Sequence, residues 1–195
     1  MDALRELDAP DGVRVVVLAA PDDAEERRAV GHDAAKQLVA ELAGVRPESV
    51  MLDALCSRCG IDHGRPTAYL VSAKDASTAA VSITHTGGFT IVAASIEVDA
   101  LGIDAELQDT RPDRVAAIDK IAPGRGDPMR RWTRIEAVLK ADGRGLRVDP
   151  RHVRFLPTLR GSARARIDPP GEESSAAWHV FDLDDPELVV ALALP

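Results

Sequence analysis

The chain has 195 residues, of which 45% are hydrophobic and only 3% aromatic, so it is long enough for one domain or two small ones with an aliphatic core. Its formal net charge of −8 argues against binding to nucleic acids or anionic membranes, and two cysteines are too few for a disulfide framework. No apolar run is long enough to span a membrane and no basic-then-apolar signal segment opens the chain, so we expect a cytoplasmic protein.

In the first half of the chain, the hydrophobic pattern predicts one long helix among several strands. Apolar runs of strand length cover residues 12–20, 67–71, 81–85 and 89–98, and Gly87 and Gly88 close the last two into a hairpin. The helix extends from Asp22, the expected N-cap, to about Leu42, and Gly44 is the expected stop. Residues 56–66 are expected to form a loop.

The second half predicts the same mixture of elements. Strands are expected over residues 101–107, 153–159, 176–183 and 187–194. The main helix covers residues 129–141, and residues 115–121 form one or two further helical turns. Antiparallel strands with separate helices are typical of an α+β fold. We place the boundary between the halves near Asp99, which gives domains of residues 1–98 and 99–195.

Three acidic residues and a lysine form the most informative group in the sequence. Alternation along strand 101–107 puts Asp104 and Glu106 on one face, about 7 Å apart, and like charges there repel unless they are neutralised. In helix 129–141, Glu136 and Lys140 lie one turn apart. Carboxylates without sulfur or imidazole ligands suit a hard cation beside a phosphate, which predicts a Mg²⁺ phosphotransfer site. As alternatives, Asp104 and Glu106 could lie on the solvent-exposed face of an edge strand, and Glu136 and Lys140 could form an ordinary ion pair on the helix surface.

A second set of polar residues predicts a pocket for an anion-rich ligand. Thr84 and His85 end strand 81–85, and Arg65 lies in a Gly-Arg-Pro turn. The cations on the polar side of the first helix are Arg27, Arg28 and Lys36. For each residue alone, the alternative is a structural histidine or a solvated cation.

The segment with Cys56, Cys59 and His63 has a spacing that invites a zinc interpretation. A structural zinc site needs a fourth ligand, and no second Cys-x-x-Cys accompanies these residues. We therefore expect an ordinary loop with two reduced thiols, and a zinc-stabilised interaction module is the weaker hypothesis.

Four motifs occur in an order that is specific even though each alone is modest. They are His-Gly-Arg-Pro at 63–66, Ser-Ile-Thr-His-Thr at 82–86, Gly-Ile-Asp-Ala-Glu at 102–106 and Trp-Thr-Arg-Ile-Glu-Ala-Val-Leu-Lys at 132–140. Over most of its length the chain resembles 4′-phosphopantetheinyl transferases of the Sfp type. The resemblance implies two pseudo-symmetric α+β subdomains, each a small antiparallel sheet packed on a main helix, with coenzyme A and Mg²⁺ in the cleft between them.

The resemblance also implies a reaction and a set of site residues. Such enzymes transfer the phosphopantetheine arm of coenzyme A to a serine of an acyl or peptidyl carrier protein and release adenosine 3′,5′-bisphosphate. The implied metal ligands are Asp104, Glu106 and Glu136, with Mg²⁺ or alternatively Mn²⁺ as the cation. The implied catalytic residues are Glu136, Lys140 and His85. The implied coenzyme A-binding residues are Arg27, Arg28, Lys36, Arg65, Thr84, His85 and Lys140.

Two features depart from the family pattern. Ile135 stands where the family often has a lysine, and the segment between Glu106 and Trp132 is shorter than usual. Because that segment normally contributes to the carrier-protein surface, we expect recognition to depend on the local arginines Arg111, Arg114, Arg125, Arg130 and Arg131. The shortening also leaves an alternative function, a non-catalytic homologue that binds coenzyme A or a nucleotide. Two halves in one chain make a monomer sufficient.

Overall fold

The computed structural model describes residues 3–55, 60, 62–71, 76–108, 111–156, 163–171 and 174–195. Over these residues the chain is a mixed α+β protein with two antiparallel sheets and three α-helices. Its contacts divide it into two compact units, residues 1–101 and 102–195, a division three residues after the boundary expected from the sequence. None of the helices in this part of the chain combines the length and the apolar character that crossing a membrane requires.

The first unit is a six-stranded sheet with one α-helix. The strands are β1 (Arg5–Leu7), β2 (Val13–Ala19), β3 (Val50–Leu55), β4 (Asp62–Val71), β5 (Ala76–Thr86) and β6 (Phe89–Ser95). They pair in the order β1-β2-β6-β5-β4-β3. Helix α1 (Ala24–Ala43) packs on this sheet, and its Leu38 and Val39 are buried with Val16, Val81 and Val92 of the strands. Aliphatic residues therefore build this core, as the aromatic-poor composition requires.

Both ends of α1 are capped by residues close to those that the sequence indicates. Gly44 is in the left-handed region with φ 64°, which confirms it as the stop. The N-cap is Asp23, because its carboxylate accepts hydrogen bonds of 2.9 Å from the backbone N–H groups of Glu25 and Glu26. The prediction of Asp22 as the N-cap is therefore wrong by one residue.

Pairing between distant segments changes the strand assignment of the first unit. The sequence analysis places residues 62–66 in a loop, but they form the beginning of β4. There, Asp62 pairs with Leu55 of β3, beyond a bulge between Asp53 and Leu55. The loop prediction fails because residues 62–66 have the polar, glycine and proline composition of a turn, and their extended conformation depends on pairing with β3.

The second unit is a five-stranded sheet with two α-helices. Its strands are β7 (Gly102–Leu107), β8 (Val153–Leu156), β9 (Ala163–Ile167), β10 (Trp178–Leu183) and β11 (Leu188–Leu194), which pair in the order β7-β11-β10-β9-β8. Helices α2 (Pro112–Ile121) and α3 (Pro128–Asp142) follow β7 in the chain. The sequence analysis does not predict β9, whose apolar residues alternate with Arg164 and Arg166.

Helix α3 lies against β7 at a point where only glycine fits. A Cβ on Gly102 would be 2.5 Å from the backbone nitrogen of Ala141 and closer still to the carbonyl oxygen of Ala137. The side of β7 that carries Gly102 therefore faces α3 at backbone contact distance. Since side chains alternate along a strand, Asp104 and Glu106 are on this same side of β7.

A buried arginine holds the connection between α2 and α3. Arg131, with 9% of its side chain exposed, donates to the carbonyl oxygen of Ala122 at 2.7 Å and forms an ion pair with Asp119. It also donates to the carbonyl oxygens of Arg125 and Gly126. The donors of Arg131 are thus used inside the unit, and a role for this residue in carrier-protein recognition stays a prediction.

Substitution of Gly102 by alanine tests the close approach of α3 to β7. The added Cβ would overlap backbone atoms of α3 that cannot move without the helix, so we expect Gly102→Ala to lower the free energy of unfolding by about 3 kcal/mol. Urea denaturation measures this loss.

Gly124→Ala is the matched control, because its Cβ would meet a side chain instead of a helix backbone, 2.8 Å from Cδ of Arg131. We expect a smaller loss for this variant. Equal losses in the two variants, or an unchanged stability of Gly102→Ala, would contradict the close approach.

Candidate metal centre

Three carboxylates converge where β7 faces α3. Asp104, Glu106 and Glu136 each offer a carboxylate oxygen, and these oxygens lie within 4.8 Å of one another. We call these three residues the acidic triad. The two-residue spacing on β7 and the close contact of α3 at Gly102 bring them together. The structure thus assembles the three residues that the sequence analysis named as metal ligands.

Lys140 is the first of two cations at the acidic triad. It lies one helical turn after Glu136, and its Nζ donates to Oδ1 of Asp104 at 2.6 Å and to the carbonyl oxygen of Ile103 at 3.2 Å. The Asp104 side chain is only 3% exposed, so this ion pair offsets part of the cost of burying a carboxylate. Lys140 therefore belongs to the same site as the triad, as predicted.

Arg114 is the second cation, and the sequence analysis assigns it a different role. It lies in the first turn of α2 and forms an ion pair with Oε2 of Glu106, whose side chain is 14% exposed. Recognition of a carrier protein was its expected function, but the structure places it on a member of the acidic triad. No spacing rule links a residue of α2 to one of β7, so local patterns could not reveal this contact.

The environment of Glu136 disfavours its charged form. Burial, reinforced by the negative charge of Asp104 and less so by that of Glu106, raises the pKa of Glu136 from 4.5 to about 7, although the Lys140 ammonium opposes this. A divalent cation among the three carboxylates would remove the repulsion that disfavours ionisation. Three carboxylate ligands without sulfur or imidazole fit a hard cation such as Mg²⁺, Mn²⁺ or Ca²⁺. The acidic triad can therefore hold a metal ion.

Two arginines of α3 anchor this helix to the sheet of the second unit. Arg130 and Arg134 both form ion pairs with Asp182 of β10, with N–O distances of 2.6 Å. Arg130, another arginine expected at a carrier surface, is thus engaged within the second unit. Ile135 is 4% exposed and belongs to the core of the same unit.

The first unit contains a cavity with basic side chains. It has a volume of about 270 Å³ and is lined by Arg28, His32, Ala54, Gly64, Pro66, Ile83 and His85. The ring of His85 is oriented by a 2.9 Å hydrogen bond between its Nδ1 and Oγ1 of Thr90. Gly31 lets α1 approach β5 here, because a Cβ at that position would lie 3.0 Å from Ile83. The predicted residues Arg28 and His85 therefore lie together, with His32 as an additional member.

Other residues predicted to bind the same ligand do not line this cavity. Strand alternation puts Arg65 on the opposite face of β4 from Gly64 and Pro66, which do line it. Thr84 is buried on the opposite face of β5 from His85. Arg27 donates to the carbonyl oxygens of Pro21 and Asp22 at the start of α1.

The last cation of this set, Lys36, is also not among the residues that line the cavity.

The zinc interpretation falls on residues whose side chains are not described. Cys56 and Cys59 lie outside the described residues, and so does the side chain of His63. The expectation of an ordinary loop with reduced thiols stays a prediction.

A scan of the chain against protein-family models finds no match. A search of curated proteins likewise finds no significant match.

The raised pKa of Glu136 predicts how stability depends on pH without metal. Between pH 4.5 and about 7 the folded protein binds the proton of Glu136 more tightly than the unfolded chain does. The free energy of unfolding therefore falls as the pH rises through this range. Glu136→Gln removes this loss, so we expect the variant to be more stable than the wild type at pH 8, by on the order of 3 kcal/mol, and the difference to close near pH 4.5.

Urea denaturation in EDTA at the two pH values measures this difference. Asp184→Asn, which removes an exposed carboxylate from the same unit, is the control for general charge effects. A Glu136→Gln variant with the same advantage at both pH values, or with none at pH 8, would contradict the buried carboxylate.

Proposed function

We propose that this protein is a 4′-phosphopantetheinyl transferase that depends on a divalent cation. Its substrates are coenzyme A and an acyl or peptidyl carrier protein. The observation that carries the proposal is the convergence of Asp104, Glu106 and Glu136 beside Lys140, at positions that match the motifs of the family. Two pseudo-symmetric subdomains with the active site in the cleft between them, a monomeric state and a cytoplasmic location are parts of the same proposal.

The acidic triad holds the cation in this proposal. When bound, Mg²⁺ supplies positive charge to the phosphate oxygens of coenzyme A. Lys140, whose ammonium lies 2.6 Å from Asp104, supplies a second positive charge from the protein. It donates to an oxygen of the leaving adenosine 3′,5′-bisphosphate, where negative charge grows as the pyrophosphate bond breaks.

Glu136 is the candidate general base. A base works best when its pKa is close to the working pH, and burial raises the pKa of Glu136 to about 7. Directly or through a water, it takes the proton from the hydroxyl of the carrier serine. The serine oxygen then forms a bond to the phosphorus that carries the pantetheine arm, and the bond from this phosphorus to the bisphosphate breaks.

The basic cavity of the first unit supports binding of the phosphate groups of coenzyme A. Arg28 can donate from its guanidinium, and His32 and His85 from ring nitrogens. The 2.9 Å hydrogen bond between Nδ1 of His85 and Oγ1 of Thr90 orients the His85 ring at this cavity. Roles for Arg27, Lys36, Arg65 and Thr84 in coenzyme A binding stay predictions.

One observation favours the second candidate, a non-catalytic protein that binds coenzyme A or a nucleotide. Asp104 and Glu106 each form an ion pair with a cation of the chain, Lys140 and Arg114 respectively. An acidic triad whose charges are largely balanced by its own cations can be a structural network that needs no metal. This candidate predicts binding of coenzyme A without modification of any carrier protein.

The test of the proposed function is intact-mass spectrometry of apo carrier proteins after incubation with this protein, coenzyme A and Mg²⁺. We expect a gain of one phosphopantetheine that EDTA prevents. Glu136→Gln and Asp104→Asn should lower the rate by about 100-fold or more, since each removes a charge at the reacting phosphates. Because Glu136→Gln is expected to be the more stable protein at pH 8, its loss of transfer cannot be ascribed to unfolding.

Asp184→Asn serves again as the control and should transfer at the wild-type rate. Near-normal turnover by Glu136→Gln would reject the site assignment. Coenzyme A that binds in calorimetry without modification of any carrier would select the second candidate.

A further inference from the structure

Arg114 connects a surface helix to the acidic triad. It lies in the first turn of α2, its side chain is 32% exposed, and its guanidinium is paired with Oε2 of Glu106. Glu106 belongs to β7, so this ion pair joins the beginning of α2 to the strand that supplies two of the three triad carboxylates. This ion pair therefore links the acidic triad to the position of α2.

The two cations at the triad are held very differently. Lys140 projects from α3, the helix that also carries Glu136, and it is held by Asp104 and by the carbonyl oxygen of Ile103. Arg114 projects from α2, in which Ile118 is the buried residue. The C-terminal part of α2 is further held by the pair of Asp119 with Arg131. Among the described residues, no side chain caps the first turn, and this turn carries the ion pair of Arg114 with Glu106.

A divalent cation and Arg114 compete for the same carboxylate. Glu106 carries one negative charge, and a guanidinium and a dication placed on it repel each other. A dication would have the larger charge and would also be held by Asp104 and Glu136, whereas Arg114 brings a single positive charge to Glu106. Electrostatics therefore favours the cation at Glu106 and disfavours Arg114 once the triad is occupied.

We propose that Arg114 is an exchangeable counter-ion of the acidic triad. It neutralises Glu106 while no cation is bound, and a divalent cation held by Asp104, Glu106 and Glu136 displaces it and loosens the first turn of α2. This inference rests on the cation site of the proposed function, but it does not require phosphopantetheine transfer. Arg114 is thus a positioning residue, because its release from Glu106 links cation binding at the acidic triad to the order of the first turn of α2.

The linkage is reciprocal, and this gives a direct test. If the cation displaces Arg114, removal of Arg114 must strengthen cation binding by the same coupling. We expect Arg114→Gln to bind Mn²⁺ about tenfold more tightly than the wild type, the effect of removing one charge a few ångströms from a dication in a water-like dielectric. Electron paramagnetic resonance of free Mn²⁺ during titration measures the affinity without coenzyme A.

Two further variants test whether the change in Mn²⁺ affinity comes from the charge at position 114 or from any positive charge on α2. Arg114→Lys retains the charge and should bind Mn²⁺ close to the wild-type affinity. Lys120→Gln removes an exposed charge from the other end of α2 and should leave the affinity unchanged. Equal strengthening by Lys120→Gln and Arg114→Gln, or unchanged or weaker binding by Arg114→Gln, would overturn the proposal.

Hydrogen exchange of the wild-type protein gives a second test that needs no variant. Addition of Mg²⁺ should speed amide exchange in residues 115–118 of α2, whose N–H groups donate to the first turn, and leave exchange in α3 unchanged or slower. Slower exchange throughout α2 would overturn the proposal, and so would the absence of Mn²⁺ binding to the wild type, which also removes the cation site. Mn²⁺ binding with the expected variant pattern but without carrier modification would support this inference and reject the transferase function.

Discussion

The close contact between the backbones of α3 and β7 at Gly102 positions the acidic triad and Lys140 in the second unit. Because no side chain separates the two backbones there, the helix lies low enough over the strand for Glu136 and Lys140 to reach Asp104. The ion pairs of Arg130 and Arg134 with Asp182 hold the same helix against β10. A strand with two carboxylates on one face and a helix with a third become one site through this contact.

The site that results is costly for the free protein. Asp104 is almost completely buried, and burial together with the negative charge of Asp104 raises the pKa of Glu136 to about 7. A chain selected only for stability would place apolar residues at such positions. The cations Lys140 and Arg114 offset part of this cost. This local conflict between burial and charge is typical of a functional site, and a bound dication would resolve it.

The sequence predicts the parts of this site that depend on local periodicity. Alternation along β7 and the four-residue spacing in α3 put Asp104 beside Glu106 and Glu136 beside Lys140, and the structure has both pairs. The roles of Arg114 and Arg131 could not be predicted, because they depend on how the chain between β7 and α3 returns to the sheet. The same holds for β3 and for residues 62–66, whose extended conformation depends on pairing with each other.

The proposed metal centre binds one divalent cation through Asp104, Glu106 and Glu136. The most direct measurement is anomalous diffraction at the manganese edge from crystals of the wild-type protein grown with Mn²⁺. We expect one strong anomalous peak in contact with carboxylate oxygens of all three residues, and no such peak in Glu136→Gln crystals. Well-ordered wild-type crystals with the three carboxylates as described and no peak among them would contradict it.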